Sequence, residues 1–297
     1  MANKEFKFTL SGTRSTTTIR SQSLFDLSYQ EPTKPPIDIY ESNILSYKRL
    51  LGCFILEPAT GSYTSLASQG NEEWAKLSNL LILGFISSVE SYVRCLLRRL
   101  LLIDNESKKR SYSKSVTYGA AVHHNKQLLP EALMEDCSFH SATNIKETIK
   151  SVTGVNLSNL KKNPELATAF SDFDFIGQLR HCVVHRSGLF GSNNALSLGL
   201  DEYHEYLEKP IKLEFTVVQE AAKACDTLVK ELNDTLFKEF LNRSINMYDW
   251  KGDLRSDAKY FDKYFDVFSP SESKCLRLKC YHEFRDVHNL RYRNGQR

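Results

Sequence analysis

Residues 72–103 read EEWAKLSNLLILGFISSVESYVRCLLRRLLLI, and the spacing of apolar positions in this stretch decides the fold class. Ile82, Ile86, Val89, Val93, Leu96 and Leu100 recur at alternating steps of four and three, which draws one continuous stripe along a helix. A strand, with its period of two, does not produce that cadence. The segment is expected to be a long core helix. Glu90, Arg94 and Arg98 are spaced four apart on another side, acid before base, the favourable order for stacked ion pairs. Together with Arg99 they interrupt the run as a membrane span, because charge at bilayer depth is costly. No segment is expected to cross a membrane.

Upstream, apolar residues from Ile37 to Ile55 fall at helical intervals, and Gly61 to Gly70 is a Ser/Gly-rich break. Residues 1–36 are rich in Ser and Thr and close on Glu31-Pro32-Thr33-Lys34-Pro35-Pro36, which cannot continue a helix and predicts an N-terminal arm. Its start, MANKEFKFTLSGTRS, lacks the apolar core and cleavage pattern of a secretory signal. Downstream, residues 104–116 are polar and basic, and residues 117–165 predict short helices around Pro130, Lys146 and Pro164. Phe170, Phe173, Ile176, Leu179 and Val183 restore helical spacing and predict a helix of about 20 residues ending near His185, with Gly188 as a left-handed terminator. Residues 195–200 (ALSLGL) and 211–218 (IKLEFTVV) are β-prone and are expected to pair as a small hairpin after the GSNN turn. Val218, Ala221, Cys225, Leu228, Leu232, Leu236 and Phe240 predict another helix over 217–241. Beyond it the chain turns aromatic, then basic, with seven Lys or Arg against two acids from Lys274 to Arg297. The expectation is an all-α bundle over 37–243 with a small β-hairpin insertion, an arm over 1–36 and an irregular basic and aromatic extension over 244–297.

At 297 residues the chain has room for one or two domains. Its 41% hydrophobic and 25% charged residues are ordinary globular values and exclude collagen, coiled coil and wholesale disorder. The excess of 39 Lys and Arg over 36 Asp and Glu is three, too small to argue for a polyanionic partner, so any basic surface is local. Lys108, Lys109 and Arg110, with Arg99 and Lys114 nearby, are such a cluster. Seven scattered cysteines suggest free thiols in a reducing compartment, hence the cytoplasm. Nucleophile-elbow, P-loop, zincin and dinucleotide-glycine signatures are absent from the sequence. Cys275, Cys280, His282 and His288 have the chemistry for tetrahedral zinc, but their C-x4-C-x-H-x5-H spacing fits no common finger. They are expected to be ordinary packed or surface residues; no metal or cofactor is assigned.

The sharpest local feature is Arg180-His181-Cys182-Val183-Val184-His185 at the end of a predicted helix. His181 and His185 lie one turn apart and project to the same side. Arginine offers a planar fork to phosphate, and histidine exchanges protons near neutral pH. These are parts of a metal-independent phosphodiesterase. Equally, a helix C-terminus attracts cations through its dipole, without any catalytic purpose.

On these residues the chain resembles the HEPN (higher eukaryotes and prokaryotes nucleotide-binding) domains, in particular their RiboL-PSP-like, toxin-like and defence-associated ribonucleases. The family signature runs Arg, a polar residue, three further residues and His; Arg180, His181 and His185 fill it. A second family feature, Glu followed four residues later by a base on an earlier long helix, is matched by Glu90 and Arg94. The resemblance implies metal-independent RNA cleavage through a 2′,3′-cyclic phosphate, with His185 as general acid or base, Arg180 stabilising phosphoryl charge and His181 orienting. It also implies a homodimer with a composite cleft, Glu90 and Arg94 lining that cleft, and an effector role in bacterial toxin–antitoxin or antiphage defence, with an antitoxin or defence-system protein as partner; from their charge, Lys108, Lys109 and Arg110 are expected to track an RNA backbone. The alternatives are a catalytically silent RNA- or protein-binding module of the same shape and a zinc-stabilised binder working through the tail. Ser187 stands where the HEPN partners of minimal nucleotidyltransferases carry Tyr, so their tyrosine-modification form of regulation is not implied.

Overall fold

The computed structural model describes residues 10, 11, 15, 24–55, 72–158 and 163–290; most of the predicted arm, the Gly61–Gly70 break and the last seven basic-tail residues lie outside them. The chain divides into Met1–Thr33 and Lys34–Arg297. In the first unit, residues 24–33 contain a turn closed by Asp26, whose Oδ1 accepts from the Ser28 amide at 2.9 Å.

The second unit holds α1 (Pro36–Ile55), α2 (Glu72–Ile103), α3 (Asn105–Ser111), α4 (Tyr118–His123), α5 (Leu129–Ala132), α6 (Ala142–Thr153), α7 (Pro164–Arg186), α8 (Ser192–Leu198), α9 (Leu200–Tyr203), α10 (Phe215–Ser244), α11 (Leu254–Phe268) and α12 (Arg277–Val287). The fold is all-α. The stripe read in residues 72–103 is buried along its whole length, from Ile82 to Leu100. This makes α2 the axis of the bundle, touching α1, α6, α7, α10 and α11. By length and composition alone α2 is apolar enough to cross a bilayer, yet two thirds of its most apolar window is buried within the chain.

Three polar rungs hold α2 and α10 in parallel register. Trp74 Nε1 donates to the Leu213 carbonyl at 2.7 Å near the start of both helices. Tyr92 Oη donates to Asn233 Oδ1 at 3.1 Å in the middle, and Arg243 Nη2 meets Asp104 Oδ2 at 2.6 Å at the far end. Each rung places a hydrogen bond where an unpaired polar group would be costly to bury.

Two expectations need correction. The 195–200 and 211–218 runs do not pair as a hairpin. The first lies mostly in α8, with Ala195 buried and Leu198 partly buried against Cys182 and Phe190 at helical spacing. The valines of the second enter α10, where Val218 is fully buried. Among the described residues, β pairing is limited to the isolated Leu189–Pro210 bridge. Nor is the described part of the C-terminal segment irregular. Phe261, Tyr264, Phe265 and Phe268 repeat at helical intervals along α11 and are buried in the main core, joined by Tyr281 and Phe284 of α12. Residues 254–287 thus complete the bundle.

Candidate active site

Helix α7 starts under an Asn163 cap, whose Oδ1 accepts from the Leu166 amide at 3.0 Å. Its core-facing line runs Leu166, Phe170, Phe173, Gly177, Arg180, again in steps of four and three. The first three are buried. At Gly177 a Cβ would stand 2.9 Å from the His140 carbonyl oxygen, so only glycine lets the loop before α6 rest on this helix. The next position carries Arg180, partly buried and without a hydrogen bond or ion pair among the described residues. A line built for apolar side chains ends in an uncompensated cation.

The rings of His181, the next residue, and of His185 lie 4.8 Å apart, inclined at 46°. His185 is exposed. His181 Nδ1 is 3.3 Å from Asn194 Nδ2. Asn194 is 1% exposed; its Oδ1 accepts from the Gly191 amide at 3.3 Å, and its Nδ2 also reaches the Gln178 carbonyl at 3.2 Å. The same nitrogen donates to Gln178 Oε1 at 2.9 Å, so its two hydrogens face three acceptors and the contact with His181 is the longest of them. The helix then stops at Ser187 (φ 53°) and Gly188 (φ 88°), with the Gly188 amide returning to the Cys182 carbonyl at 2.9 Å. The left-handed terminus thus begins one residue before the glycine. Arg186 is occupied, its Nη2 meeting both carboxylate oxygens of Glu208 at 2.6 and 2.5 Å. Burial pushes the Cys182 thiol up, which disfavours the thiolate a nucleophile needs.

Glu90 and Arg94 do not form the i,i+4 pair expected of them. Arg94 turns to Glu131 Oε1 at 3.5 Å and donates to the carbonyls of Met134 and Cys137 at 2.6 Å each, with its guanidinium 5.1 Å from the Phe139 ring centre. It clamps the loop that runs into His140 and so rests on Gly177; its link to the motif helix is through that loop. Glu90 is partly buried and has no polar contact among the described residues.

Lys108, Lys109 and Arg110 lie on α3, just past the C-terminus of α2, and Arg110 Nε pairs with Glu106 at 3.3 Å. The motif lies toward the other end: a Cβ at Gly188 would stand 3.6 Å from the Asn79 amide. At 1.5 Å per residue, Asn79 and Asp104 are roughly 38 Å apart along α2. Within one chain the basic cluster and the motif do not share a cleft. The four residues of the zinc string also diverge. Cys275 Sγ contacts the Glu272 carbonyl, His288 Nε2 pairs with Asn242 Oδ1 at 2.9 Å, Cys280 packs on the core, and His282 is exposed. Among the described residues no three potential ligands gather.

On its opposite side α7 forms, with α10, a cavity of about 300 Å³ lined by Phe175, Ile176, Leu179 and Val217, with Asp172 and Glu220. Two carboxylates there disfavour a phosphate. Asn194, Gly177 and the Arg94 clamp went unread in the sequence. Asn194 had a signal, since G-S-N-N is as good a helix start as a turn. Compared with known proteins, the chain matches no family model, no curated protein and no solved structure.

Proposed function

We propose that this chain is a HEPN-type endoribonuclease that cuts RNA through a 2′,3′-cyclic phosphate, as an effector of bacterial toxin–antitoxin or antiphage defence. The observation that carries the reading is Arg180, an unpaired guanidinium at the end of an apolar line, next in sequence to His181, whose ring lies 4.8 Å from that of His185. In the proposed reaction a ribose 2′-oxygen attacks the adjacent phosphorus, its proton passing to an imidazole. The bond from phosphorus to the 5′-oxygen breaks, and the leaving oxygen takes a proton. Arg180 offsets charge growing on the non-bridging oxygens, the type of contribution worth most where the donor is held in place beforehand. His185, exposed, meets the substrate as acid or base; His181, held at Nδ1, orients. The family's composite cleft adds a second copy of the chain, pairing two motif helices across a two-fold axis.

Arg180→Ala and His185→Ala are expected to abolish cleavage of a mixed RNA with the melting temperature kept, and wild-type cleavage is expected to persist in EDTA. Full activity in either variant, or loss of wild-type activity on chelation, contradicts the mechanism. The alternative, a silent binding module, draws support from the separation along α2 between the basic helix, beside Asp104, and the end of the motif helix, whose Gly188 lies by Asn79; RNA binding without cleavage would favour it.

A further inference from the structure

A cavity of about 550 Å³ opens between the N-terminus of α11 and α12. Arg255, Arg277, Arg285 and His282 line it, with Asp253 as the one acid. Three guanidiniums face one lining carboxylate, while Asp262 and Asp286 pair with two of them from outside the lining. Asp253 is engaged: its carboxylate caps α11, accepting from the Ser256 amide at 3.1 Å and the Ser256 hydroxyl at 3.0 Å. The buried Asp257 behind the cavity is satisfied as well, by the amides of Lys251 and Gly252 and by the Tyr281 hydroxyl at 2.6 Å. Neither carboxylate makes a direct ion pair with the lining arginines among the described residues.

The arginines differ in what holds them. Arg277 grips Asp262 through Nε and Nη2 at 2.5 and 2.7 Å, tying α12 to α11. Arg285 pairs only with its neighbour Asp286, a carboxylate 66% exposed, and such a pair contributes little. Arg255 is exposed and has no polar contact among the described residues. Two of the three guanidiniums therefore keep unspent donors around a concave site, the arrangement that suits the oxygens of a phosphate.

We propose that this cavity binds phosphate groups, either those of an RNA strand or that of a small phosphate-bearing molecule. The RNA arm rests on the ribonuclease reading. Its placement favours an anchoring role. His288 at the end of α12 bonds Asn242, next to the Arg243 that binds Asp104 below α3. The cavity and Lys108–Arg110 thus belong to one end of the bundle, remote from Arg180. A strand held at this end is gripped by its backbone, away from the reacting bond.

The test uses the full chain carrying His185→Ala, so that bound RNA is not cut, with and without Arg255→Ala and Arg285→Ala together. Neither residue anchors the fold, so the melting temperature is expected to stay. Anisotropy of a labelled single-stranded RNA should show affinity falling about tenfold and the salt slope shrinking by roughly 0.7 for each phosphate that is no longer neutralised. Unchanged RNA affinity with loss of calorimetric binding of inorganic phosphate identifies the small-molecule source. If neither measurement moves, the site is overturned. Because the readout is binding, a chain that never cuts RNA but loses affinity on substitution keeps this site while the ribonuclease reading falls.

Discussion

Arg180 occupies a position where Leu166, Phe170 and Phe173 set an apolar rule, and a residue that breaks its local rule at no visible gain in packing points to function. The rule can be restored. Arg180→Leu is expected to abolish RNA cleavage while raising the free energy of unfolding by about 0.5–2 kcal/mol, the usual trade at a site that stores instability. Urea titration checks this; a destabilised variant would mean that Arg180 supports the fold. Asn194 poses the converse case. It is buried and serves Gly191, Gln178 and His181 at once, so Asn194→Ala should cost about 1–3 kcal/mol through the groups it leaves unsatisfied. If it also holds the His181 ring, kcat falls while KM stays close to wild type; equal change in both would reduce Asn194 to a structural part.

Among the elements, α2, α3, α10 and α11 meet at Asp104. This fully buried carboxylate caps α3 through the Ser107 amide at 2.7 Å and takes hydrogen bonds from Tyr264 at 2.8 Å and Arg243 at 2.6 Å. Burial alone would raise its pKa, but the Ser107 and Tyr264 bonds and the Arg243 charge outweigh that and hold the carboxyl below its ordinary value. The folded state then binds this proton less readily than the unfolded chain. The stabilisation is complete above the unfolded value of about 3.9 and disappears as pH falls through the lower folded value. Asp104→Asn should lower stability at neutral pH by about 3 kcal/mol or more and flatten the fall in melting temperature between neutral and acid; parallel curves would contradict the assignment. At this scale α1, α2, α7 and α10 were legible because each carries a long stripe in steps of three and four. The pairs Phe261–Tyr264 and Phe265–Phe268 carry the same steps, yet flanking charge made α11 read as a tail. The supposed hairpin failed for another reason: β-prone valines are cheap to place in a helix when, like Val218, they face a core.

For the whole molecule, the rungs at Trp74, Tyr92 and Asp104 make α2 a ruler with the motif toward one end and the basic surfaces at the other. Arg180, His181 and His185 were legible as a string because they share one helix end. Their separation from Lys108 was not, because sequence spacing says nothing of how far a straight helix carries its ends apart. Under the proposed function, RNA would be held at a distance from a cleft that a second copy completes. The central claim is the chemistry at Arg180 and His185, and the ends of the RNA fragments report it most directly. Mass spectrometry of fragments released from a defined RNA by the purified chain in EDTA is expected to find 2′,3′-cyclic phosphates paired with 5′-hydroxyls, and no such fragments from His185→Ala. Fragments ending in 3′-hydroxyls with 5′-phosphates, or cyclic ends that persist in His185→Ala, would contradict it.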